Sequence, residues 1–140
     1  MQLTTPITHA QITAHLKAAE AALERARRWE AGCSGLAPTA SARAKGHIAA
    51  AEWLLDQTPS PISGKTSDVL MLWDRGTPPT IVAIGAEVSL TRDELFPGHP
   101  VTITDERRSW LRGIKLTLEW SLGRDDQEPA GRLKRLSSVP

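Results

Sequence analysis

Tyrosine is missing from this chain, and phenylalanine and cysteine each occur once. A lone cysteine, Cys33, excludes an internal disulfide, so the fold must be held by packing and hydrogen bonds. No apolar run approaches the ~20 residues needed to cross a bilayer, and no signal-peptide pattern opens the sequence. A soluble, cytoplasmic protein without a membrane partner is therefore expected. An excess of charge is also lacking: 17 basic residues stand against 16 acidic ones. The net charge of +1 gives no overall field to draw in nucleic acid or an anionic surface, so any such partner must be met by a local patch. With so few other aromatics, five tryptophans and the leucines must supply the bulk of the core. A length of 140 residues suits one domain. We place it over residues 1–123, followed by a polar, helix-poor stretch over 124–140 expected to be a mobile tail.

The patterns that carry chemistry are scarce. Gly64-Lys65-Thr66 has the ending of a phosphate-binding loop, but the glycine required five positions earlier is Pro59. His9, His15, His47 and His99 do not stand at metal-ligand spacing with Cys33 or a carboxylate, and each is expected at or near the surface. Cys33 has Arg27 and Arg28 nearby to favour a thiolate, yet no histidine close in sequence to serve as its base. Asp125, Asp126 and Glu128 lie among polar residues, where nothing would raise a carboxyl pKa for acid catalysis. No catalytic residue, metal, cofactor or small-molecule substrate is expected, and the protein reads as non-enzymatic.

What the sequence does offer is helical periodicity. Thr8 and Gln11 form a capping box, and Ile12, Leu16, Ala19, Leu23 and Ala26 follow at alternating spacings of four and three. The glycine-rich turn from Gly32 to Pro38 ends that helix. A second helix is expected from Thr39–Ser41 to Asp56 with Ala44, Ile48, Ala51 and Leu55 on one face, pairing with the first as an antiparallel hairpin. Thr58 to Lys65 reads as an exposed linker. Ser67 to Gly76 fits a short helix, although Val69 to Trp73 also fits a buried strand. Val101 to Thr104 reads as an extended connector, and the two stretches would pair as a minor sheet if both are strands. Thr104, Asp105 and Glu106 open a last long helix reaching Gly123, with Leu111, Ile114, Leu118 and Leu122 along one face. The fold class is all-α.

Two segments repeat each other. Lys45-Gly46 leads to Glu52-Trp53-Leu54-Leu55, and Arg112-Gly113 leads to Glu119-Trp120-Ser121-Leu122 at the same internal spacing. A glycine inside a helix costs about 1 kcal/mol against alanine. Two at matching places imply a packing role: the helices cross at Gly46 and Gly113, with Trp53 and Trp120 sealing the core beyond.

The stretch from Thr77 to Phe96 bears most on function. Thr77 and Pro78 supply a helix start, and Ile81, Ile84 and Val88 make an apolar stripe. Gly85 leaves room for a second helix to cross, while Thr91 and Glu94 form a capping box for a helix beginning after a three-residue turn. Leu90 and Leu95 complete the buried set, Ser89 stands where a turn glycine is usual, and Pro97-Gly98 stops the second helix early. This spacing resembles the bihelical unit of helix-turn-helix DNA-binding families over about twenty residues. The resemblance implies a small DNA-binding or regulatory protein, with Thr91 and Arg92 at the second helix. Arg108, Arg112 and Lys115, which share a face at spacings of four and three, would then lie on phosphates. The alternative is a helical protein-interaction or assembly protein of the phage or mobile-element type with no DNA contact, using exposed tryptophan and the Ile12 to Ala26 seam to bind another protein or a second copy of itself.

Overall fold

The structure is a computed structural model that describes residues 7–32, 38–55, 57–62, 79–99 and 101–123. Among them the secondary structure is four helices with no strand: α1 (His9–Ala31), α2 (Thr39–Leu54), α3 (Ile81–Leu95) and α4 (Asp105–Ser121). The all-α expectation holds. Cys33, Gly64 to Thr66, Val69 to Trp73, Thr77, Pro78 and the 124–140 stretch lie outside the described residues.

The helix starts follow the capping residues. Thr8 and Gln11 exchange both hydrogen bonds of a capping box, at 2.8 and 3.1 Å. Thr104 accepts from the Arg107 N–H at 3.0 Å, and Asp105 and Glu106 place negative charge in the first turn of α4, where the helix dipole favours it. α3 is capped by Thr80, whose hydroxyl accepts from the Ala83 N–H at 3.1 Å. α4 ends through Gly123, whose φ of 78° is the left-handed conformation that glycine adopts without strain.

α1 and α2 run antiparallel, because contacts along one helix fall in reverse order along the other. Glu30 accepts from the Ser41 N–H at 2.9 Å, Ala22 packs with Ala44, and His15 meets His47. α2 is the central element. It buries Ser41, Ala42, Ala44, Gly46, His47, Ala50, Ala51, Trp53 and Leu54, so little of its circumference is left for water. A helix of small, weakly amphipathic residues suits such a place, since it has partners on more than one side. Ile48 and Leu55, expected on its buried face, are only half-buried.

The second partner is α4, and the crossing is a contact between backbones. A Cβ on Gly46 would overlap the Trp110 carbonyl oxygen and lie 3.1 Å from the Ile114 nitrogen. A Cβ on Gly113 would overlap the Arg43 carbonyl oxygen and lie 3.0 Å from the His47 nitrogen. Each glycine thus sits between two residues one turn apart on the opposite helix, as the internal repeat implies. Trp53 and Trp120 lie in the core beyond, with Ile12, Leu54, Ile84, Val88, Ile114 and Leu118. Burying each of these aliphatic side chains contributes about 1.5–3 kcal/mol.

Residues 79–96 depart from the expected corner. Residues 81–95 form one unbroken helix, and the three-residue turn around Ser89 is not made. Thr91 is fully buried, and its hydroxyl donates to the Val88 carbonyl at 2.7 Å instead of capping a new helix. Among the described residues nothing lies within 4 Å of a Cβ on Gly85, so none of the four helices crosses there. Leu90, assigned to the buried set, is 40% exposed. The physical reason is that Ser, Leu and Thr are all compatible with a helix interior. Without a glycine or proline between Val88 and Thr91, nothing ends the helix before Phe96. Ser60, Pro61 and Ile62, expected in an exposed linker, are buried. Their anchor is the buried Glu87, whose carboxylate accepts from the Ile62 N–H at 3.1 Å.

Candidate functional site

The residues expected to meet DNA are spread over α3 and α4, and the fold divides them. Arg92 and Lys115 come together, but on a carboxylate: Glu119 accepts from the Arg92 guanidinium at 3.0 Å and pairs with the Lys115 ammonium at 3.2 Å. Thr91 faces the interior and reaches no external ligand. Arg108 and Arg112 stand exposed one turn apart on α4, with no ion pair among the described residues. Of the five residues, these two alone combine an accessible side chain with an uncompensated charge.

Next to them the α3–α4 junction is fixed by Arg107. Its guanidinium donates twice to Glu94, at 2.7 and 3.0 Å, and stacks over the Trp110 ring at 4.6 Å. These hydrogen bonds hold the Glu94 carboxyl below its usual range, against the opposing effect of partial burial, with smaller help from the charges of Arg107 and His99. The connecting loop forms a shallow pocket of 160 Å³ lined by residues including Phe96, His99, Val101, Ile103 and Arg108.

The outer face of α3 is apolar where water should be. Val82 is 82% exposed and Phe96 is 65% exposed, with Ile81, Leu90 and Val101 also open to solvent. Gly85, Ala86 and Ser89 lie between Val82 and Phe96 on that side and add no bulk, and the exposed Asp93 puts one charge near its Phe96 end.

A second polar feature lies inside the bundle, and sequence reasoning placed its members elsewhere. His15 and His47 are both fully buried, not at the surface. Both address the hydroxyl of the buried Thr117, His15 through Nε2 at 3.0 Å and His47 through Nδ1 at 2.7 Å. The rings meet edge to face with centroids 5.5 Å apart, and His15 also lies against Trp120 at 4.9 Å. A hydroxyl has one proton to give, so it donates to one ring while the other ring donates to its oxygen. Both rings therefore carry their proton on Nε2, or both on Nδ1. Burial pushes His15 down to about 4. His47 is pushed down to about 3, first by burial and then by the positive charges that His15 and Arg43 would present. Both rings are thus neutral at pH 7.

The signal for His15 was present in the spacing. Ile12, His15, Ala19, Ala22 and Ala26, the buried stripe of α1, follow at steps of three and four as regularly as the stripe through Leu16 and Leu23. Choosing leucine over histidine for the core selected the neighbouring stripe. His47 was legible from its place directly after Gly46, where the helices touch.

No protein-family model, no curated protein and no solved structure matches the chain. Among the described residues no group of three or more His, Cys, Asp or Glu side chains could hold a metal ion, and no helix is long and apolar enough to cross a membrane.

Proposed function

We propose that this chain is a non-enzymatic helical interaction protein whose contact surface is the outer face of α3 with Phe96 and Val101, and whose partner is another protein. The observation that carries the reading is the exposure of Val82 and Phe96 at the two ends of one helix face, which Gly85, Ala86, Ser89 and the charged Asp93 fill between them. Isolated exposed apolar residues are ordinary, but several large ones on the side of a helix that faces away from its buried Ile84, Val88 and Thr91 favour a protein partner. The ion pairs support it too. Arg92, Lys115 and Arg107 already balance Glu119 and Glu94, so using them on phosphate would strip two carboxylates of their partners.

Arg108 and Arg112 are the observation that favours the second reading, a DNA contact through α4. The two readings separate in paired experiments. Val82→Asp with Phe96→Asp is expected to abolish capture of a partner that the wild-type chain retains, with the circular dichroism spectrum unchanged. Duplex DNA at low salt is expected to give no shifted complex at micromolar protein. A salt-dependent complex that Arg108→Gln with Arg112→Gln removes would overturn the interaction reading in favour of DNA.

A further inference from the structure

We propose that the His15–Thr117–His47 cluster is an acid-sensitive latch: neutral, it ties α1 to the crossed pair α2 and α4, and when protonated it releases α1. Three helices each contribute one member, and all three side chains are fully buried. In the neutral state the arrangement is self-consistent, since one hydroxyl proton and one ring proton serve two hydrogen bonds. An added proton breaks that consistency. With the neutral rings protonated on Nδ1, protonation of His47 adds an Nε2–H donor that has no hydrogen-bond partner among the described residues; with them protonated on Nε2, it adds an Nδ1–H donor that displaces the proton of the Thr117 hydroxyl. Protonating both rings would place two N–H donors on one hydroxyl oxygen and two positive charges at a centroid separation of 5.5 Å.

The surroundings resist those charges. From α2, Arg43 acts on His47 with the same sign, and from α1 the facing titratable group is His15 itself. From α4 the contacting side chains are Thr117 and Trp120, both uncharged, while the Glu119 carboxylate is engaged by Arg92 and Lys115. α3 enters the core with Ile84 and Val88.

α1 is the element that leaves because of what else holds it. α2 and α4 touch through their backbones at Gly46 and Gly113, whereas α1 meets the bundle through side chains: buried Ile12, Ala19, Ala22 and Ala26 with half-buried Leu16 and Leu23 beside them. Three of its four buried apolar residues are alanines, which bury little area each, so the polar node adds materially to its docking.

The sign follows from linkage. A histidine held at about 4 or about 3 when folded, against 6.5 when released, contributes its full stabilisation above pH 6.5 and loses it as the pH falls below that value. Two such groups raise the open-to-closed ratio by a factor approaching about 100 for each pH unit of descent.

The test is a pH titration of the full chain followed by amide hydrogen exchange and by the histidine Cε1–H signals in NMR. The expected result is a reversible loss of amide protection in α1 between pH 6.5 and 4, taking up about two protons, while amides around Gly46 and Gly113 stay protected. Both ring signals should change with that transition and not before it. His47→Gln should reduce the proton uptake to about one if it folds, and Thr117→Ser, which keeps the hydroxyl, should leave the transition in place. A ring that titrates near pH 6.5 with α1 still protected would overturn the latch. So would simultaneous loss of protection in all four helices, or a transition confined to pH values below 4.

Discussion

Gly46 on α2 and Gly113 on α4 each face the backbone of the other's helix: Gly46 sits against Trp110 and Ile114, and Gly113 against Arg43 and His47. Everything near the centre of the molecule follows from that closeness. With no side chain between the helices, His47 comes within reach of Thr117, and His15 on α1 closes the cluster from the other side. The matched tryptophans beyond the glycines, Trp53 and Trp120, join the same buried core cluster.

Thr117→Val should destabilise the fold by about 1–3 kcal/mol, because valine keeps the shape but leaves two buried ring nitrogens without their shared hydroxyl. Thr117→Ser should recover most of the loss. Urea unfolding at pH 7 measures both, and a valine variant as stable as the wild type would mean that the hydroxyl contributes nothing.

Glu94→Gln should cost up to about 1 kcal/mol at neutral pH, the range for a partly exposed ion pair with good geometry. The sign with pH is set by the lowered carboxyl of Glu94, whose ordinary value is 4.5. Its contribution is present above that value and is lost as the pH falls through the folded-state value. Unfolding curves of wild type and variant should therefore differ at neutral pH and converge in acid. A gap that stays constant into acid would place its origin in packing instead.

Glu87→Ala should leave the buried Ile62 N–H without its acceptor, a penalty of about 1–3 kcal/mol. The effect should be local first. Hydrogen exchange at the Ile62 amide should accelerate strongly while α2 and α4 amides change much less, and an unaltered Ile62 rate would show that another group takes the carboxylate's place.

The sequence was most legible where one residue type has a single physical job. Thr8 with Gln11 and Thr104 mark helix starts that the structure keeps, and the matching glycines at 46 and 113 disclose the crossing before any coordinates are seen. It was least legible where a residue has two roles of similar cost. Thr91 caps helices well, yet it also sits comfortably inside one when its hydroxyl returns to a carbonyl of the preceding turn, and in α3 that second role prevails. Gly85 looks like Gly46 in sequence, but among the described residues no helix lies opposite it. The candidate site was read only in part for the same reason. Arg92 and Lys115 are basic residues whose shared counter-ion, Glu119, comes from a full turn further along α4 and across from α3. The polarity of a histidine at a core spacing argues for the surface until a buried partner such as Thr117 is known.

The most direct measurement is the thermal unfolding of three glycine-to-alanine variants. In an uncrowded helix the change adds helix propensity and stiffens the unfolded chain, raising stability by about 0.4–1 kcal/mol. Gly85→Ala, with open space around the added methyl, should melt above the wild type. Gly46→Ala and Gly113→Ala, each driving a methyl into the opposite backbone, should melt well below it, by the equivalent of about 1–3 kcal/mol or more. If all three variants gained stability alike, α2 and α4 would not meet at these glycines.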